Sequence, residues 1–493
     1  MGLEIDRIDF DAEDFLRFRE RLHDNLDVLA QLLRRPGFGE GEASFGAELE
    51  MYIVDQRGHP LPINQEVLAA ADDPTLTLEL NRYNLEYNLP AFGVRERPFF
   101  ATERAMLDSL SRLRAVAQRW DGRIVPIGIL PTLRETDFGA DCITDRRRYH
   151  ALVRQLIRQR GDSFQIEIGG AEPLRIEMND ITLEGANTSF QVHYRVSPAV
   201  YADTFNAVQL ATPLALAIGA NSPTLFGHRL WQETRIPLFK QSIDTRHLDP
   251  YACHQPPRVG FGLGWVRDGA EELFRETVSV YEPLLPICAE ETAAQQLAAG
   301  RIPGLAEMRL HQSTVWLWNR PIYDDASGGH LRIEMRALPA GPTAVDMAAN
   351  AAFLIGLAEG LRPQLAQLLP AMPFHYAQYN FYRAAQFGLD AQLVWPGEGG
   401  SRARELPVDE LLAKLLPVAA DGLAAIGIDG EEIAHYLGII EERLARRQSG
   451  AIWQQKTLDS LALQMDADRA RHAMLERFIE YSTENLPVAR WPL

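Results

Sequence analysis

"SFGAELEMYIVD", residues 44–55, is the stretch on which the fold class turns. Phe45, Ala47, Leu49, Met51 and Ile53 fall on one side of an extended chain, because side chains alternate across a strand. The other side carries Gly46, Glu48, Glu50 and Tyr52. Two carboxylates at i and i+2 then stand about 7 Å apart on one face. They repel unless something neutralises them.

The same arrangement recurs. In residues 76–93, Leu76, Leu78 and Leu80 oppose Glu79; after a turn, Leu85, Tyr87 and Leu89 oppose Asn84, Glu86 and Asn88. In "SFQVHYRV", Phe190, Val192, Tyr194 and Val196 oppose Gln191, His193 and Arg195. In "HLRIEMRALP", Leu331, Ile333 and Met335 oppose Arg332, Glu334 and Arg336. If these strands share a sheet, its polar face gathers Glu48, Glu50, Glu79, Glu86, His193 and Glu334. Such a group needs either raised pKa values or bound cations. Hard divalent cations take oxygen ligands and accept an imidazole, and Arg332 and Arg336 would complement phosphate oxygens. The plainer reading of any one segment is a half-solvated strand, and the strand pattern alone leaves both readings open.

The remaining chain narrows the choice. At 493 residues there is room for two or three domains or one large enzyme. Cys142, Cys253 and Cys288 lie far apart and offer neither a disulfide framework nor a metal-ligand spacing, which suits a reducing, cytoplasmic setting. "MGLEIDRIDFDAEDF" lacks the basic start and apolar centre of a signal peptide, and Asp6 argues against myristoylation. "LATPLALAIGANSPTLFG" is interrupted by Pro213, Asn221 and Pro223, so no membrane span is expected. A net charge of −18 argues against nucleic-acid binding. Lysine occurs only at Lys240, Lys414 and Lys456, and none completes the GxxxxGK[ST] phosphate loop. Any phosphate must therefore be handled by arginines and metal ions.

Phe15, Phe18, Leu22, Leu26, Leu29 and Leu33 recur at helical steps and predict a helix over 9–35. From residue 44 to about 340, strands and helices mix without βαβ alternation, which predicts an α+β fold. Residues 344–369 read as a helix broken near Pro363. "GGSRARELP", 399–407, reads as a linker into a helical region at about 405–485. The expected organisation is a catalytic unit over 1–395, with its core at 44–390, and a helical region over 396–493 packed on that core.

In combination, "GAELEMYIVD", the Glu79 and Glu86 pair, "NTSFQVHYRV", "ANSPTLFGH", "STVWLWNRPIYD", "HLRIEMRALPAGPTAVD" and "FYRAAQFGLDAQLV" resemble the glutamate–cysteine ligase and carboxylate–amine ligase superfamily over residues 44–390. That resemblance implies a glutamine-synthetase-like core: a curved, mainly antiparallel sheet with a polar, metal-lined face, packed by helices. It implies two or three Mg²⁺ or Mn²⁺ ions, one held by Glu50, Glu79 and Glu86, another by Glu48, His193 and Glu334. Arg336 would contact the transferring phosphoryl group of ATP. Close bacterial carboxylate–amine ligases usually carry H-x-H on the histidine strand, whereas "QVHYR" supplies only His193.

The implied reaction joins a carboxylate, with glutamate the family's habit, to an amine, cysteine by default, through an acyl phosphate. The expected partners are small molecules. A guanidino or small-molecule kinase of similar fold is the nearest alternative. An inactive scaffold is a third reading, weakened by the presence of all six ligands.

Further candidates carry two readings each. Arg235 and Arg246 could bind substrate or nucleotide, or form ordinary salt bridges. Asn84, Gln191 and Asn221 could orient substrate, while asparagines also serve turns. Trp316 and Trp318 are expected to pack rather than stack on adenine. Cys253 and Cys288 lack a nearby His–Asp pattern, and His254 has no ligand-like companion.

Overall fold

The computed structural model describes residues 5–246, 255–397 and 401–493; Cys253 and His254 lie outside them. Seven strands form one sheet: β1 Ser44–Val54, β2 Leu76–Leu78, β3 Asn84–Gly93, β4 Arg123–Val125, β5 Phe190–Arg195, β6 Asn319–Asp324 and β7 His330–Met335. Their order is β6-β7-β5-β1-β3-β2, with β4 paired to the far end of β1, and every pairing is antiparallel. The sheet curls into a half-barrel, and the fold is α+β.

Burial follows the period of two along the first part of β1, where Phe45, Ala47, Leu49 and Met51 are buried and the residues between them half-buried. The apolar face is covered mainly by helices α2 Pro98–Ala117, α3 Tyr201–Gly219 and α4 Ala344–Leu361. Helix α4 is apolar on all sides because it is enclosed on all sides. The segment Ala344–Ala371, long and apolar enough to cross a membrane, is 94% buried inside the protein. Near Pro363 the helix gives way to a 3₁₀ turn at Arg362–Gln364, as a missing N–H and a ring clash require.

The N-terminal helix α1, Ala12–Leu33, starts at Asp11, whose carboxylate accepts from the Glu13 and Asp14 N–H groups. Phe18, Leu22, Leu26 and Leu29 form its buried stripe. At the other end of the chain, helices α5 Val408–Ala425, α6 Gly430–Arg446, α7 Gly450–Ala462 and α8 Ala467–Thr483 contribute to the same continuous core. Helix α5 lies close against α4 because Gly356, Gly360 and Gly422 remove side chains where the backbones meet; a Cβ at any of the three would intrude on facing backbone atoms. Arg443 of α6 is buried against Asp346 at 2.8 Å and Asn350 at 2.6 Å. The stretch expected to be a linker contains a strand. Arg404–Pro407 pairs antiparallel with Gln392–Trp395. Its polar side chains face outward while its backbone completes a hairpin, a pairing that composition does not reveal.

Candidate active site

The strand register collects the polar face. Across β5 and β7, His193 lies opposite Glu334; across β1 and β5, Gly46 lies opposite His193 and Glu48 opposite Gln191; across β1 and β3, Glu50 lies opposite Glu86. Two three-residue groups result, Glu48–His193–Glu334 and Glu50–Glu79–Glu86. In each, one ligand atom per residue lies within 4.8 Å of the others. All six side chains, with Gln191, Arg332 and Arg336, line one cavity of about 400 Å³. Apolar and aromatic side chains line it as well, including Leu152, Leu156, Ile243, Phe274 and Trp316.

The two groups differ in how their charge is balanced. Glu334, 2% exposed, is gripped by Arg320 through both oxygens, while Arg336 approaches at 3.4 Å and His193 Nε2 at 3.6 Å. Burial opposes its ionisation, but Arg320, Arg336 and His193 outweigh that and hold the carboxyl far below its usual range. Glu48 is likewise opposed by burial, yet His193, 3.1 Å away, brings it down to about 2.

The second group lacks such partners. Burial and then Glu48 push Glu86 up to about 8. Burial with Glu86, Glu50 and Glu184 pushes Glu79 well above its ordinary value. Burial raises Glu50 too, although Arg336 and the Ser189 N–H oppose it. Three carboxyls within ligand distance, Glu86 buried and the other two half-buried, and short of positive charge have the chemistry of a divalent-cation site.

Gln191 bridges the two groups. Its amide donates to Glu50 at 2.8 Å and its carbonyl accepts from Arg336. The Nε atoms of Arg332 and Arg336 are buried without hydrogen-bond partners among the described residues, as is Nδ1 of His193. Arg332 also pairs with Asp324 at 2.8 Å.

Four sequence candidates fall elsewhere. Arg235 is 1% exposed, paired with Glu233 at 2.6 Å and bonded to the Ala337 carbonyl at 2.6 Å. It is half of a buried ion pair, not a cavity residue. Arg246 closes on Asp244 two positions earlier, at 2.7 and 2.8 Å, and stays outside the cavity. Asn221 donates to the Ala340 carbonyl and accepts from Gln454 of α7, both at 2.8 Å, so it ties the C-terminal helices to the core. Asn84 is 2% exposed, does not line the cavity, and its amide has no hydrogen-bond partner among the described residues. Trp318 packs as expected against Phe239 and Phe381, whereas Trp316 is only half-buried and faces the cavity.

Among the cavity residues that escaped the sequence reading are Arg320 and Glu184. Arg320 could have been found by hairpin arithmetic: the "DASGG" turn sets Asp324 opposite His330, and counting outward brings Arg320 opposite Glu334. Glu184 sits in a 3₁₀ turn, Thr182–Ala186, where no periodicity marks it. Burial, then Glu50, push its carboxyl up to about 8, against the pull of Arg336.

Known proteins resemble this chain over most of its length. The model of "Glutamate-cysteine ligase family 2" matches residues 44–476, through β1 and most of the C-terminal helices. A relative in Frankia casuarinae with the provisional name glutamate–cysteine ligase 2-1 is 34% identical over 397 residues, 78% of this chain and 85% of its own. Its counterpart in Frankia alni is 27% identical over 372 residues, 73% of this chain and 78% of its own. The crystal structure of glutamate–cysteine ligase from Francisella tularensis in complex with AMP superposes with a TM-score of 0.53 over 90% of both chains, at 13% identity, a likeness of fold.

The fold and family together define an ATP-dependent carboxylate–amine ligase. The chain belongs to glutamate–cysteine ligase family 2.

Proposed function

We propose that this ligase activates the γ-carboxylate of glutamate with ATP and transfers the resulting acyl group to an amine, with cysteine the first candidate. The observation that carries the reading is the pairing of two oxygen-rich ligand groups on one sheet face, with Arg320 and Arg336 ion-paired to Glu334 of one group and, among the described residues, no ion pair to Glu50, Glu79 or Glu86 of the other. Glu50, Glu79 and Glu86 would hold one Mg²⁺ or Mn²⁺ ion, and Glu48, His193 and Glu334 another; the donor set, five carboxylates and one imidazole, fits either metal. When bound, such ions neutralise phosphate charge and orient the transferring group.

This chain's own residues do the rest. Arg336 and Arg320 bring cationic forks to the Glu334 end of the cavity, where developing charge on a phosphoryl group needs donors. Gln191 keeps Arg336 in place from the neighbouring strand. The apolar wall with Trp316 offers a flat, water-poor surface for a nucleotide base. A carboxylate is a poor electrophile, so converting it to an acyl phosphate supplies the leaving group that amide formation requires.

The test is ATP-dependent phosphate release with L-glutamate and a panel of primary amines, beside the Glu334→Gln variant. Amine-dependent release of ADP and phosphate that disappears in the variant supports the reading. A stable phosphorylated product, with no amide, would replace it with a kinase.

A further inference from the structure

The cavity has two chemically distinct ends. Arginines crowd Glu334, whereas Glu50, Glu79, Glu86 and Glu184 share an end lined with carboxyls. Within that second end the carboxyls are not equivalent. Glu50 accepts from the Ser189 N–H at 2.6 Å and from Gln191 at 2.8 Å. Glu86 accepts from Thr77 at 3.1 Å and Asn88 at 3.0 Å, and Glu79 from the Leu80 N–H at 3.3 Å. Among the described residues, no hydrogen bond or ion pair reaches the Glu184 carboxyl, although it lines the cavity.

The segment that carries it is nevertheless fixed. The Tyr52 hydroxyl donates to the Ala186 carbonyl at 2.6 Å, Asn81 to the Thr182 carbonyl at 2.8 Å, and Asn187 to the Glu184 carbonyl at 2.9 Å. Gly185 lies so close to Asn81 that a Cβ there would collide with the Asn81 side chain. A rigid backbone thus holds one carboxyl without a hydrogen-bond partner among the described residues in the wall, the arrangement required of a group that meets a substrate rather than a neighbour.

We propose that Glu184 holds the ammonium of the amine substrate and takes its proton. The proposal rests on the ligase reading above. An alkyl amine arrives protonated and cannot attack until it loses a proton, so the reaction needs a proton acceptor in the cavity besides the groups that hold the cations and the phosphoryl group. Glu184 accepts one proton from R–NH₃⁺. The freed lone pair forms the C–N bond, and the acyl C–O bond breaks with its electron pair leaving on phosphate. The second nitrogen proton leaves with the phosphate as HPO₄²⁻. Atoms and charge balance without any further reactant.

Hydroxylamine separates this role from others, because it is already neutral at neutral pH and needs no base before attack. The experiment compares Glu184→Gln with the unsubstituted enzyme, using ATP, Mg²⁺ and L-glutamate with either the best primary amine of a panel that includes L-cysteine, or hydroxylamine. Expected is a loss of roughly 10²-fold or more in kcat/KM for the amine, with hydroxamate formation kept within about threefold. The Mg²⁺-dependent rise in Tm should also persist. Parallel loss of both reactions together with the Mg²⁺ effect would make Glu184 a cation ligand and overturn the proposal. Both reactions unchanged would overturn it equally. An unsubstituted enzyme that releases phosphate with neither nucleophile would remove the ligase reading itself, a failure visible before any variant is made.

Discussion

Replacing Glu86 by Gln should make the metal-free protein more stable while removing its response to divalent cations. The Glu86 carboxyl rises from 4.5 to about 8 in the folded protein through burial and its acidic neighbours. Below about pH 4.5 both folded and unfolded chains carry the proton, and the group is neutral in the stability balance. Above that, the unfolded chain ionises while the folded chain does not, so stability falls as pH rises and levels off beyond pH 8. At pH 7 this corresponds to an order of about 3 kcal/mol, at 1.36 kcal/mol per unit. Gln is isosteric, can still accept from Thr77, and carries no charge. Without metal, the variant should therefore melt higher at pH 7, by roughly 3 °C for a chain of this size.

In the unsubstituted protein, Mg²⁺ or Mn²⁺ should raise Tm, and increasingly so between pH 4.5 and 8, because ligands must be deprotonated to bind. Differential scanning fluorimetry with and without each cation, across that range, measures both effects. A variant that melts lower than the parent without metal, or keeps the full cation-dependent rise, would refute the reasoning.

Glu334→Gln should reduce phosphate release by on the order of 10²–10⁴-fold, since it removes a proposed ligand and the anchor of two arginines together; steady-state assays with saturating ATP read it directly. Arg320→Lys should lower kcat by about 10²-fold, because a lysine cannot reproduce the two-pronged contact with Glu334. Arg235→Ala should instead destabilise the fold by about 3–5 kcal/mol, leaving Glu233 buried and unpaired, with KM for ATP unchanged in whatever protein folds; denaturant titration and kinetics separate the two. Asn221→Ala should cost about 1–3 kcal/mol through the stranded Gln454 and Ala340 partners and leave substrate kinetics intact.

Six polar-face residues were legible because they obey a local rule. Alternation along 44–54 and 190–195 depends only on strand geometry, so each strand announces which of its residues leave the core. Helix α1 was legible for the same kind of reason at the helical period. The candidates that fall outside the cavity obey no such rule. Arg235 and Asn221 stand in a motif-rich stretch near the site, yet Glu233, Ala337, Ala340 and Gln454 claim their hydrogen bonds, and these partners lie up to 233 positions away. Glu184 occupies a short 3₁₀ turn, and Arg320 acquires meaning only when its strand closes on Glu334.

The sequence by itself thus determined the chemistry on offer: carboxylates, an imidazole and arginines on the outward faces of several strands, without a phosphate loop. Only the tertiary structure decided how they divide. Glu48 and Glu50 are two residues apart and alike in sequence, but strand order places Glu48 near His193 and Glu334 and Glu50 opposite Glu86. Glu48 therefore sits against His193, which brings its carboxyl down to about 2, while Glu50 joins carboxyls that burial and mutual repulsion push upward. The difference is electrostatic and non-local, since a carboxyl's charge state depends on what other strands bring within a few ångströms of it.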